Sequence, residues 1–131
     1  MMENFRNQLQ PWIDMLDSGL TTFNEVPVDW ESQRSVSHPW STNPNNHFFN
    51  SVCRIKPVTT GFWEVLIQSR VGNLEKINAI WPLPDGKIII GLVRKKDNIS
   101  GKINVEAPRK AILKWSDHIL LLKEGPNVID L

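Results

Sequence analysis

The stretch from Gly19 to Ser41, GLTTFNEVPVDWESQRSVSHPWS, gathers the side chains of this sequence best suited to chemistry. Glu25 stands between Phe23-Asn24 and Val26, so apolar neighbours partly desolvate its carboxyl group. His38 follows thirteen residues later, across a loop whose ends could meet at one place. Trp30 and Trp40 add aromatic faces that can pack on the apolar side of a sugar ring. A carboxylate, an imidazole and indole faces are the groups from which a sugar-hydrolysing cleft is built. Glycoside hydrolysis usually needs two carboxyl groups; in the inverting route one is the acid and the other activates water, about 6.5–9.5 Å away. Glu25 is a candidate for one of them. Spacing alone also allows plainer roles: Glu25 as a surface loop residue, His38 as a turn residue before Pro39, and Trp40 as a core residue.

These residues sit at a change of regime in the chain. Before them, Phe5, Leu9, Trp12, Ile13, Leu16 and Leu20 recur on one face of a helix. Pro11 predicts a kink, or a helix restarting with Pro11 near its first position. Gly19 is placed to end that helix. Residues 26–37 read as polar and irregular, with Pro27 as punctuation. A second helix is expected from near Pro44, capped by Thr42 or Asn43, with Phe48, Phe49, Val52 and Cys53 as its apolar positions. Pro57 and Gly61 should end it and open a linker.

From Trp63 onward the period becomes two. Trp63, Val65 and Ile67 alternate with more polar neighbours, as do Ile77, Ala79 and Trp81. Ile88–Val93 is a nearly continuous apolar run, as in a central strand. Further short strands are expected at Ile103–Val105, Ile112–Trp115, Ile119–Leu122 and Val128–Leu131, divided by turn residues such as Pro84-Asp85-Gly86 and Ser116-Asp117. This pattern predicts an α+β chain: a short N-terminal helical hairpin over residues 1–60, then an antiparallel β-sandwich of about seven or eight strands over residues 61–131. A lone helix pair with aromatic faces needs something to pack on. It covers the sandwich, meets a second copy as a homodimer through its exposed face, or belongs to a larger helical domain.

Composition narrows the partners. The 131 residues carry a net charge of +1, which gives no electrostatic reason to bind nucleic acid or an anionic membrane. Arg94-Lys95-Lys96, followed by Asp97-Asn98, reads as a solvated strand end and turn. The single cysteine, Cys53, rules out an internal disulfide framework and reads as a small buried apolar residue. His38, His47 and Cys53 match no zinc spacing, so no metal or other cofactor is expected. No run of 18 or more apolar residues is present, and MMENFRNQLQ lacks the regions of a signal peptide. Asn98-Ile99-Ser100 matches a glycosylation acceptor, alone and in a turn. Compartment stays open.

The order of residues adds a resemblance. Gly19-Leu20-Thr21-Thr22-Phe23-Asn24-Glu25, a variable loop, then Arg34-Ser35, His38, Trp40-Ser41 and Pro44 resembles the end of the catalytic domain in bacterial α-L-rhamnosidases. Arg54-Ile55-Lys56-Pro57, Gly61-Phe62 and Val65-Leu66-Ile67 continue it, where that family passes from its barrel into a C-terminal β-sandwich. The resemblance implies an inverting glycoside hydrolase with an (α/α)6 barrel, the six-hairpin glycosidase fold, acting on rhamnose-containing carbohydrate. It implies that Glu25 is the general base, that His38 contacts the sugar, and that Trp40 and Trp30 line the site. It implies further that the general acid lies upstream, since none of Asp14, Asp17, Asp29 and Glu31 stands in a matching motif. The chain is then a C-terminal fragment and inactive alone. Phe23 and Asn24 replace a position where relatives often carry tryptophan, and Val36 and Ser37 replace an Asp and a Cys found in many. Two other readings compete. One is a non-catalytic β-sandwich module that binds carbohydrate or serves as an interaction domain. It needs solvent-facing indoles among Trp63, Trp81 and Trp115, which the alternation instead places in the core. The other is a degenerate remnant with a structural role, for which Val36 is the main support.

Overall fold

The computed structural model describes residues 7–25, 37–42 and 46–131. By packing, the chain divides into two compact units, Met1–His47 and Phe48–Leu131, while the sequence period changes near residue 61.

In the first unit the described α-helix is α1 (Gln10–Asp17). It starts where proline requires. Pro11 lies in the first turn, where its missing N–H would have had no partner, and the Leu9 carbonyl accepts from the N–H groups of Trp12 and Ile13 at 3.0 and 3.1 Å. It ends in a Schellman motif. Gly19 adopts φ +77°, its N–H donates to the Leu16 carbonyl at 2.9 Å, and the Leu20 N–H donates to Met15 at 3.0 Å. Ser18 adds a bond from its hydroxyl to the Asp14 carbonyl. Along the helix Met15 is buried, whereas Ile13 is 42% and Leu16 72% exposed. The apolar face expected from the sequence is therefore largely uncovered at those two positions.

The second unit begins with a correction. Phe48–Cys53 is a single π-helical stretch rather than a regular α-helix running to Pro57. Its wider turn puts the successive residues Val52 and Cys53 both into the interior. Arg54 then takes φ +49°, which stops the helix, and Ile55 enters a sheet.

Eight strands follow: β1 (Ile55–Pro57), β2 (Glu64–Ile67), β3 (Lys76–Leu83), β4 (Gly86–Lys95), β5 (Asn98–Glu106), β6 (Lys110–Trp115), β7 (His118–Leu122) and β8 (Gly125–Asp130). They form two four-stranded sheets, β1-β2-β6-β7 and β3-β4-β5-β8, in a sandwich-like α+β arrangement. Neighbouring strands run antiparallel except β2 and β6, which pair in parallel from Glu64 opposite Lys110 to Ile67 opposite Leu113. The second sheet is a meander of tight turns, with Leu83 opposite Gly86 and Lys95 opposite Asn98, closed by β8 against β5.

Alternation explains the core. Ile88, Ile90 and Leu92 of β4 and Ile99, Ile103 and Val105 of β5 point inward from one sheet, and Val65, Ile67, Ala111 and Leu113 from the other. Fully burying each such side chain contributes about 1.5–3 kcal/mol. Gly101 allows β4 and β5 to approach: at φ +144° a Cβ there would lie 2.1 Å from the Gly91 carbonyl oxygen. The edge strand β7 keeps Leu122 inside and leaves Ile119 and Leu121 67% and 73% exposed.

Candidate functional site

A backbone bond ties His38 to the segment that bears Glu25. The His38 N–H donates to the Phe23 carbonyl at 2.7 Å, so the two ends of the intervening loop meet two residues from Glu25. Both side chains are half-buried. Residues 21–25 turn through bends without pairing in a sheet, so this bond, not a strand, holds the Glu25 segment. No hydrogen bond or ion pair engages the Glu25 carboxylate among the described residues. Immediately after His38 the chain turns through a 3-10 helix, Pro39–Thr42, closed by the Thr42 hydroxyl on the Pro39 carbonyl at 2.6 Å. Trp40 lies in that turn. Trp30, Val36, Asp29 and Glu31 fall outside the described residues.

Asn24 is a site feature that motif reading did not single out. Its side chain is fully buried, and neither its amide nitrogen nor its oxygen has a hydrogen-bond partner. Burying an unsatisfied amide costs about 1–3 kcal/mol. The sequence signal was Asn24 as a departure from the family pattern, one residue before the candidate base.

A second carboxylate for acid–base work is missing from this locality among the described residues. Asp14 sits on exposed helix surface and accepts from the Gln10 side chain at 2.7 Å, and Asp17 is exposed on the same helix. No group of three His, Cys, Asp or Glu side chains among the described residues is arranged to hold a metal ion. Nor is any described helix long and apolar enough to cross a membrane. Cys53 is a free, buried thiol, and burial pushes its pKa up, which keeps it protonated and inert.

On the sandwich the three tryptophans part company. Trp81 is half-buried, with Phe49 edge-on at 4.9 Å between ring centroids and Phe62 at 5.7 Å. Trp115 is half-buried and donates its indole N–H to the Asp97 carbonyl at 2.9 Å. Trp63 is 60% exposed, against the expectation that alternation would bury it. Its parity matches Val65 and Ile67, but it precedes the first residue of β2. Arg94 also departs from expectation. It is half-buried and ties the strand end to the loop before β3, donating to the Lys96 and Gly72 carbonyls, while Lys95 and Lys96 are solvated.

No protein-family model and no curated protein matches the chain. Among solved structures it is similar to an α-L-rhamnosidase from Dictyoglumus thermophilum, with a TM-score of 0.61 and 18% identity. The match covers 88% of this chain and 16% of that one, so the chain spans under a fifth of the length of the protein it resembles. At this identity the shared property is the fold: the chain has a rhamnosidase-like fold.

Proposed function

We propose that the chain is the C-terminal part of an α-L-rhamnosidase-like inverting glycoside hydrolase, carrying the base and lacking the acid. The observation that carries this reading is the His38–Phe23 bond, which sets the candidate sugar contact beside the segment that bears Glu25. The rhamnosidase-like fold supports it, and so does the uncovered apolar surface of Ile13 and Leu16, which fits a helix made to pack on further helices.

In the complete enzyme the Glu25 carboxylate takes a proton from water as it attacks the anomeric carbon. His38 holds the sugar, and a carboxyl from the upstream barrel protonates the leaving oxygen. A general base of this kind contributes about 10²–10⁴-fold to the rate. On this reading the acid and the rest of the sugar pocket belong to the upstream barrel, so positioning and proton transfer are both incomplete in the chain alone. An aryl α-L-rhamnoside assay tests this directly. The isolated chain should show no turnover above buffer. Glu25→Gln in a barrel-containing parent should lower kcat by at least about 10². Turnover by the isolated chain that disappears in Glu25→Gln would refute the incompleteness of the site; full activity of the parent variant would refute the role of Glu25.

A further inference from the structure

Trp63 occupies a cleft at the end of the sandwich where several loops meet. The cleft has a volume of about 510 Å³ and is lined by Thr59, Trp63, Glu64, Arg109, Lys110 and Glu124. That volume lies within the range of small-ligand sites.

The exposed indole is held rigidly. The Arg109 guanidinium stacks over it, 4.0 Å from the ring centroid. Arg109 is itself fixed: its side chain is only 4% exposed, its Nε and Nη2 donate to Asp85 Oδ1 at 3.2 and 2.5 Å, and its Nη1 donates to the Gly61 carbonyl at 3.3 Å. The Trp63 carbonyl accepts from the Lys110 N–H at 3.1 Å, and the Thr59 hydroxyl accepts from the Glu64 N–H at 2.9 Å. The loop bearing Glu124 is stapled by Asn127, whose side chain bonds both the N–H and the carbonyl of Lys123 and the carbonyl of Gly125.

The backbone before Trp63 is strained. Gly61 at φ +70° is followed by Phe62 at φ +59°, a left-handed conformation that costs a bulky residue about 1–3 kcal/mol. The twist sends Phe62 inward against Trp81 and leaves the next aromatic outside. Such strain collects at binding sites, where the surroundings enforce it.

We infer that this cleft is a saccharide-binding subsite for a neutral pyranose, with the free face of Trp63 as the platform. The apolar C–H face of the ring lies on the indole, and hydroxyl groups bond to Glu64, Glu124 and Lys110. Charge selects the neutral sugar. Asp85 already neutralises Arg109, so two carboxylates and one ammonium remain in the lining, and a uronate would meet net negative charge.

The experiment follows the six indole N–H signals of the 131-residue chain by NMR, titrated with methyl α-L-rhamnoside, methyl α-D-glucoside and glucuronate. Trp63→Phe assigns one signal. At least one neutral glycoside should shift that signal saturably, and glucuronate should bind more weakly. Trp63→Ala and Glu124→Gln, each checked for folding by circular dichroism, should weaken binding, read from the backbone amide signals of Glu64 and Lys110, by at least about tenfold and by a few-fold respectively. The saturable shift of the Trp63 signal should be the same in Glu25→Gln, which separates this subsite from the proposed catalytic locality. Absence of saturable shifts, tighter binding of glucuronate, or unaltered affinity in both folded variants overturns the proposal.

Discussion

Replacing Asp85 should damage the sandwich more than replacing Arg109, although Asp85 is the smaller and more exposed partner. The side chain of Arg109 is 4% exposed and that of Asp85 is 36% exposed. Asp85→Ala leaves the guanidinium buried with only the Gly61 carbonyl and the Trp63 ring to stabilise it. Breaking a buried ion pair from one side costs about 3–5 kcal/mol. Asp85 is reached by solvent, and water replaces part of the lost interaction, so about 2–3 kcal/mol is expected. Arg109→Met removes the cation with its burial cost and keeps an apolar stem against Trp63, while Asp85 returns to water. Its loss is one hydrogen bond to Gly61 and part of the stacking, about 1–2 kcal/mol. The double variant should then lie close to Arg109→Met alone, far from additive. Urea unfolding followed by circular dichroism gives the three values. Equal or reversed single costs, or an additive cycle, would refute the claim that Arg109 depends on Asp85 for its charge.

Two further outcomes follow from individual side chains. Asn24→Leu removes an amide that is buried without partners, and should stabilise the chain by about 1–3 kcal/mol in thermal or denaturant unfolding. Cys53, whose pKa burial raises, should resist a thiol-specific disulfide reagent in the native state at neutral pH and react at once in denaturant; raising the pH should speed native labelling only when the thiol begins to ionise, above its ordinary range.

The strands were legible in the sequence because their cause is local. Ile88, Ile90 and Leu92, or Ile103 and Val105, bury alternate positions whatever sheet they join, so period two marks them. The end of α1 was legible for the same reason, since only a glycine at 19 takes φ +77° without strain. Features set by distant parts of the chain were not. Ile55–Pro57 looks like a helix tail until β2 is there to pair with it. The parallel register of β2 and β6 joins residues far apart in sequence, and no local pattern encodes it. Arg109, between Pro108 and Lys110, carries no periodic signal of burial; its place follows from Asp85 in a turn more than twenty residues earlier. For the candidate locality around Glu25, the sequence supplied Glu25 and His38 and the closure of their loop as an expectation. The Phe23–His38 bond and the unpaired burial of Asn24 arise from how the loop folds, which no local pattern encodes.

Local costs help to weigh the two sites, but only together with what stands beside them. Among the described residues, Arg54, Phe62, Lys96 and Ser116 take a positive φ, and Asn24, Arg54 and Asn104 keep side-chain atoms buried and unpaired; Asn24, Arg54 and Phe62 are the ones that bear on the two sites. Arg54 has a sufficient structural cause, since it changes a π-helical turn into β1 within one residue. Phe62 has part of one, in its contact with Trp81. That contact does not account for Trp63, because a strained loop stabilised only by aromatic burial would bury the larger indole as well. The fold instead fixes Trp63 in the open under the buried cation of Arg109, which the partly exposed Asp85 pairs, an arrangement that stability alone does not require. Asn24 has no structural cause among the described residues, and it adjoins the carboxylate to which the motif order points. The strained turn at Phe62 therefore holds an indole out to solvent, Asn24 is a buried cost beside the Glu25 segment, and Arg54 marks only a change of backbone regime.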